Sequence, residues 1–465
     1  IKSSAASDVY KRQGKRSSFS GKLGYVLAAA GASVGLGNIW RFPYLAAKYG
    51  GGIFLIIYIV LALTFGYTMI VAETAIGRMT RKSPVGAFKS FGKKKWLSFG
   101  GWINAVIPVL IVPYYSVIGG WVIKYLVEYF RGNAKLLAED GYFTDFISNG
   151  VSTELCFVAF CAFTLIIIFA GVQNGIERVS KIMMPILIVL SVIIAVYSVT
   201  RPGALAGVKY FLVPNVKNFS WMTVVSAMGQ MFYSLSIAMG ILITFGSYMK
   251  KDTAIEDSTR NVEVFDTGIA IMAGLMIIPA VFAFSGGDPD TLQAGPSLMF
   301  ITIPKVFQNM GFGTVIGIVF FLLVLFAAVT SSIALTESAV STFEDELGWG
   351  RKKATVLVGV IMLALGSLSS LGYGPLAGIK IIGMQFLDLF DFLTNSVMMP
   401  IAALLTSLLV SRVVGIDKIE DEIIHGESAF RRKKVFVVMI KYLCPVFAII
   451  ILLSSVANAL GWIKM

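Results

Sequence analysis

The chain has 465 residues, is 57% hydrophobic and only 14% charged, and has a mean hydropathy of +0.81. Globular chains carry roughly 25% charged residues, so a charge content this low, spread over long apolar runs, excludes a water-soluble enzyme and places the chain in a bilayer. The net charge of +13 falls in short loops between apolar runs, without the alternation of basic and aromatic residues that a nucleic-acid surface requires, so nucleic acid is excluded as a partner.

Residues 1–15 form a polar arm that begins with Ile and lacks an apolar centre; it is expected to be a cloning or assembly scar rather than a signal peptide. Eleven apolar runs follow, near residues 20–46, 53–77, 97–130, 152–171, 176–199, 220–249, 262–285, 312–342, 354–372, 386–411 and 435–463. Most reach the roughly 20 residues needed to cross a bilayer as a helix. Lysines and arginines gather in the arm before the first run and in the loops 78–95, 250–260, 351–353 and 412–434. The intervening loops 286–311 and 373–385 are nearly free of them. By the positive-inside rule the N-terminus is cytoplasmic, and an odd number of spans leaves the C-terminus outside.

The first run is broken where Gly31, Gly35 and Gly37 fall within seven residues, followed by Asn38 and Arg41. Each interior glycine costs a helix about 1 kcal/mol relative to alanine, so unwinding is cheap here. Freed carbonyls at membrane depth need protein or ligand partners. The sixth run is interrupted near Ser234–Gly240, five runs later. Paired breaks mark an internal repeat, with halves near 20–199 and 220–411 and an extra helix near 435–463. Residues 16–463 then form a single domain.

Polar groups recur at similar depth: Gln230, Ser234 and Ser236 in the sixth run, Asp266 in the seventh, and Thr330, Ser331 and Ser332 in the eighth. Carbonyls, hydroxyls, an amide and a carboxylate suit a hard cation such as sodium. The three cysteines, Cys156, Cys161 and Cys444, have no ligand spacing, and the single His425 lies in a polar loop, so no softer metal is expected. Arg41 and Asp391 are ionisable residues within or near the membrane, which calls for a function and a partner.

The stretch "GASVGLGNIWRFPYLAAKYGGGIF", with "GIERVSKIMMP", "GQMFYSLSIAMG" and "FAAVTSSIALTESAVSTFEDEL", resembles the first, fifth, sixth and eighth helices of the neurotransmitter:sodium symporters. The match spans almost all of residues 16–463, and eleven helices resemble a bacterial subgroup of amino-acid transporters. The resemblance implies an all-α membrane fold with a 5+5 inverted repeat, and sodium-coupled amino-acid import by alternating access through the cell's inner membrane. A transport-dead sensor and an ion channel are the competing readings.

It also implies roles. One sodium would be held by the Ser33 carbonyl, Asn38, Ser234, Asp266 and the substrate carboxylate. A second would be held by the carbonyls of Gly31, Val34 and Ala327 with Thr330 and Ser331. The substrate would lie against Ala32, Gly35, Ile111, Tyr115, Tyr233, Ser236, Met239, Ser332 and Leu335, with the Tyr115 hydroxyl on its carboxylate and Tyr233 as a lid. Arg41 and Asp391 would form the outer gate. Arg16, Phe19, Tyr248 and Asp345 would form the inner one. Gly175 and Pro185 would let the fifth helix unwind.

Gly35 occupies the place where monoamine transporters of the family carry an aspartate, so an amino acid, apolar or aromatic, is expected. Asp266 stands where chloride-dependent members tend to have asparagine, so its fixed charge is expected to replace chloride. The sixth-helix motif, usually glycine, a bulky residue and glycine, is here Ala238-Met239-Gly240.

Overall fold

The computed structural model describes residues 16–286, 295–459 and 462. The polar arm 1–15 therefore lies outside the described residues. Among these, the protein is helical throughout, with isolated bridges at Gly51–Pro214 and Ile381–Met384 in place of sheet.

Among the described residues, nine continuous helices are long and apolar enough to cross a membrane. They run Gly52–Thr80, Lys95–Phe130, Gly150–Phe169, Val172–Val199, Ile255–Ser285, Gly313–Leu347, Arg351–Leu371, Phe386–Val414 and Lys433–Ala459. A tenth crossing is the bent pair Lys22–Ser33 and Gly37–Lys48, which turn by 53° at their junction. The sixth run forms a second interrupted span, Trp221–Ser234 and Ile241–Tyr248, with residues 235–240 between its halves. With that pair, all eleven expected runs are present, and the first and sixth are the broken ones.

The largest displacement from the sequence reading is at the seventh span. It begins at Ile255 rather than near 262, because Glu256, Asp257, Arg260 and Glu263 occupy helical positions that hydropathy counts as loop. Short helices between the spans also escape the count of spans, among them Ala204–Leu212, the largely buried Leu298–Gln308 and the amphipathic Ile416–Ile424.

Where the site is built, helices touch backbone to backbone. A Cβ on Gly77 would lie 2.0 Å from the Ile243 carbonyl oxygen, and one on Gly246 would lie 2.4 Å from that of Thr74. The second span and the inner half of the sixth therefore pack as one slab. Across the molecule, Gly119 and Gly120 of the third span lie against Phe160, Cys156 and Phe157 of the fourth. Gly77→Ala inserts a methyl where no side chain can yield. It should destabilise the fold by about 1–3 kcal/mol, read as a lower thermal unfolding temperature in detergent; an unchanged temperature would show that the slab can open at that point.

Candidate functional site

The two helix interruptions face one another, and side chains from four other positions satisfy the backbone they release. The first half of the first span ends at Ser33, and Val34 is extended (φ −74°, ψ 94°). The Gly35 amide donates to Asn38 Oδ1 (3.3 Å) and the Leu36 amide to the Tyr115 hydroxyl (3.3 Å). Gln230 Nε2 donates to the Gly37 carbonyl (3.0 Å), and Ser236 Oγ to that of Ala32 (2.9 Å). In the sixth span, Ser236, Ala238 and Gly240 all take left-handed conformations, with φ of 52°, 60° and 69°. The Ala238 amide is held by buried Glu73 Oε1 at 2.8 Å.

One oxygen-rich cluster lies on the outer side of the first break. Asn38 Nδ2 donates to Ser234 Oγ (2.9 Å) and Asp266 Oδ1 (2.8 Å), and Ser234 Oγ donates to the Asp266 carboxylate (3.0 Å). The Tyr58 hydroxyl joins it, 3.0 Å from both Ser234 Oγ and Asp266 Oδ2. All four side chains are buried. Ser33, assigned to this cluster through its carbonyl, turns its hydroxyl back to the Ala29 carbonyl (3.1 Å) and lines the adjacent cavity.

A second cluster joins the first and eighth spans. Ser331 Oγ lies within hydrogen-bond reach of three carbonyls, those of Gly31 (3.2 Å), Ala32 (3.1 Å) and Val34 (3.4 Å). Thr330 Oγ1 reaches the carbonyls of Phe326 (3.0 Å) and Ala327 (3.2 Å), and its Cβ is 3.1 Å from where a Gly31 Cβ would stand. One hydroxyl has one proton, so three carbonyls around Ser331 form a surplus of acceptors. Such a surplus seeks a cation. Among the described residues no group of three or more His, Cys, Asp or Glu side chains forms a metal site. Both clusters are mostly neutral oxygen, which suits a hard monovalent ion.

Between them is a small cavity lined by Ala32, Ser33, Gly35, Leu36, Gly37, Asn38, Ile111, Tyr115, Tyr233, Ser236, Met239, Ser331 and Leu335. It holds every residue assigned to the substrate except Ser332. That side chain faces the fourth span, where its hydroxyl meets Thr164 Oγ1 at 3.2 Å. Neighbouring residues on a helix point about 100° apart, so the wall position belongs to Ser331. Gly35 has no room for a side chain: a Cβ would stand 2.7 Å from Ser331 Oγ and 3.0 Å from the Tyr115 hydroxyl.

The cavity is covered on both sides. Outside, the Tyr233 ring lies on Gly37, and the Arg41 guanidinium sits 5.4 Å from that ring's centre. Arg41 and Asp391 form no ion pair within 4 Å; Asp391 instead accepts from Tyr114 (3.2 Å) and Asn395 (2.6 Å), with Arg41 close enough to act on it electrostatically. Inside, Arg16 pairs with Asp345 (2.6 Å), donates to Ser247 (2.9 Å) and Ser341 (3.1 Å), and covers the Tyr248 ring. Phe19 donates its amide to the Tyr248 carbonyl (3.0 Å), and the Tyr248 hydroxyl donates to Glu337 (2.7 Å). The fifth span is wound through Pro185, and Gly175 is pressed to within 2.1 Å, measured from its would-be Cβ, of the Ile167 carbonyl oxygen.

Tyr58 and Glu73 were not singled out in the sequence. The signal for Glu73 was present, as the lone carboxylate inside the apolar run 53–77, whereas Tyr58 shares that run with four other hydroxyl-bearing residues, Thr64, Tyr67, Thr68 and Thr74.

A profile of the Sodium:neurotransmitter symporter family matches residues 16–144 and 141–462. The chain is 34% identical over 439 residues to the uncharacterized sodium-dependent transporter YhdH of Bacillus subtilis, covering 94% of this chain and 96% of that one. It is 26% identical over 474 residues to the human sodium- and chloride-dependent GABA transporter 2, covering 88% and 75%. Among solved structures, MhsT in complex with L-phenylalanine superimposes with a TM-score of 0.84 at 34% identity, over 95% of this chain and all of that one.

Ala238 is the strained departure in the interrupted sixth span. A left-handed conformation costs a residue with a Cβ about 1–2 kcal/mol. Ala238→Gly should therefore stabilise the fold by up to about 1 kcal/mol after glycine's greater unfolded-state entropy is counted, seen as a higher unfolding temperature. A lower one would mean that the methyl group contributes packing that outweighs its strain.

Proposed function

Because this chain belongs to the sodium:neurotransmitter symporter family, we propose that it imports an amino acid, apolar or aromatic, coupled to two sodium ions and driven by alternating access. The observation that carries the reading is the surplus of acceptors around Ser331 beside a closed cavity that holds Tyr115 and the interrupted first helix. A sodium ion there accepts the carbonyls of Gly31, Val34 and Ala327 with Thr330 and Ser331. A second sits with the Ser33 carbonyl, Asn38, Ser234 and Asp266, and its shell is completed by the substrate carboxylate.

That shared ligand is the coupling: each partner supplies part of the other's site, so each raises the other's affinity. The same carboxylate meets the Tyr115 hydroxyl and the amide-rich start of the helix at Gly37. Ala32, Ile111, Met239 and Leu335 offer an apolar surface to the side chain, and the family relative MhsT is known with L-phenylalanine. Met239, unbranched and polarizable, suits a range of apolar shapes.

Asp266 supplies a fixed negative charge in the first ion cluster, so chloride is not required. The protein lies in the cell's inner membrane with the Arg16 end of the first span in the cytoplasm, and the last span ends outside. No covalent chemistry takes place.

Proteoliposome uptake tests this. A radiolabelled amino acid should accumulate with sodium outside and not with potassium; equal accumulation in both overturns sodium coupling. Asn38→Ala and Asp266→Asn should each raise the sodium concentration for half-maximal uptake by about tenfold, the equivalent of about 1.4 kcal/mol. Ser332→Ala should leave it unchanged. If Asn38 and Asp266 variants keep the wild-type sodium dependence, the first cluster is not an ion site. Gly35→Asp should abolish amino-acid binding, checked by equilibrium binding, because the new carboxylate fills the place of the substrate's own.

A further inference from the structure

One group of buried polar residues runs away from the first oxygen cluster and lies outside both gates. Along the seventh span, Glu256, Thr259, Glu263 and Asp266 recur at intervals of three, four and three residues, which places them on one face of the helix. All four are buried. The stripe starts at the cytoplasmic end of the helix and ends at the first ion cluster.

Its two ends are satisfied. Asp266 is held by Asn38, Ser234 and Tyr58. Glu256 accepts from the Tyr67 hydroxyl (2.9 Å) and from the backbone amides of Arg431 (2.8 Å) and Arg432 (2.9 Å). The middle is not. Glu263 is 2% exposed and Thr259 0%, yet Glu263 Oε1 and Thr259 Oγ1 have no hydrogen-bond partner. The other Glu263 oxygen meets a single donor, Arg432, at 3.3 Å.

Arg432 does not belong to the transmembrane bundle. It ends the segment that follows the short helix Ile416–Ile424 between the tenth and eleventh spans, and its guanidinium stacks 4.6 Å from the centre of the Tyr67 ring. The short helix is itself fastened, where Glu422 pairs with buried Arg78 (2.7 Å) and with Lys251 (2.9 Å), and the segment after it is fastened where Glu427 accepts the Glu256 amide (2.5 Å). The guanidinium thus reaches Glu263 as a tethered cation, delivered by a loop.

We propose that Glu263, with Thr259, is a proton-binding site opening to the cytoplasm, occupied in this conformation by the tethered guanidinium of Arg432. A carboxylate out of water needs a counter-charge or a proton. Arg432 supplies the first through one long contact and leaves one oxygen and one hydroxyl dry. When the loop withdraws, a hydronium ion from the cytoplasmic side gives its proton to the carboxylate and leaves as water. The neutral carboxyl then has an O–H to donate, with the Thr259 hydroxyl available one turn away. The charged groups that act on Glu263 are Arg432 from the loop and Glu256 and Arg260 from its own helix. The second span adds the Tyr67 hydroxyl, and Asp266 lies one turn further along the stripe. Glu263 is one turn away from the first ion cluster and is not part of it. The inference goes beyond the transport reading and does not depend on it.

Difference infrared spectra of the full chain in lipid nanodiscs, recorded as the buffer is stepped from alkaline to acidic, test the site without substrate or uptake. A protonated-carboxyl band should grow in wild type and be missing from Glu263→Gln. Arg432→Gln removes the competing positive charge, so protonation becomes easier and the band should appear at higher pH, by about one unit or more. Spectra of Glu263→Gln that superimpose on wild type overturn the proposal. So does an unshifted band in Arg432→Gln, which stands as the test if Glu263→Gln fails to fold. Loss of sodium coupling in the uptake assays would leave these spectra untouched, so the two readings fail separately.

Discussion

A helix interrupted inside a membrane exposes carbonyls and amides that have no water to turn to, and the protein's interior is arranged around that constraint. Each freed group is met by a side chain from a different element. Tyr115 comes from the third span, Gln230 and Ser236 from the sixth, Ser331 from the eighth and Glu73 from the second. These same side chains bound the cavity or stand directly behind it. The satisfaction of the backbone and the construction of the site are therefore one problem with one solution. The solution is incomplete at Ser331, where one proton is offered to three carbonyls.

The two covers on the cavity differ in kind. The inner one is a network of charge-assisted bonds: Arg16 to Asp345, Tyr248 to Glu337, and Glu337 to Arg351 at 2.6 Å. Asp345 also accepts the Ser83 amide at 2.6 Å, which fastens the start of the helix Pro84–Lys89 to the eighth span. The Arg16 and Asp345 side chains are still partly exposed, and such a pair alone contributes about 0–1 kcal/mol. The outer cover is an aromatic ring under a guanidinium, with Asp391 held apart on Tyr114 and Asn395.

Most of this architecture was legible in the sequence because the bilayer permits so few solutions. Length and hydropathy located the spans, and three glycines beside Asn38 located the first break. What was not legible has physical causes. The seventh span begins early because a charged stripe buried between helices looks, in a hydropathy window, like a loop. Ser332 came to the substrate site through the resemblance alone, beside two other hydroxyls, and a rotation of about 100° per helical residue decides among them; only the backbone shows that Ser331 lines the cavity and Ser332 meets Thr164. Tyr58 and Glu73 sit in apolar surroundings where their partners, Asp266 and the Ala238 amide, lie roughly 200 residues away in sequence.

The fifth span shows how a motif can serve the closed state and prepare the open one. Gly175 has a packing reason of its own, since any side chain there would collide with the Ile167 carbonyl at the end of the fourth span. Its presence therefore does not by itself argue for unwinding. Pro185 is different. It cannot donate to the Lys181 carbonyl one turn earlier, so the helix is already missing a bond at that level. The residue before it, Met184, places its sulfur 3.5 Å from the would-be Cβ of Gly31, beside the carbonyls gathered around Ser331. The turn of the fifth span that lacks a hydrogen bond thus lies against the carbonyls gathered around Ser331, so the same backbone weakness and the same surplus of acceptors meet at one level of the fold.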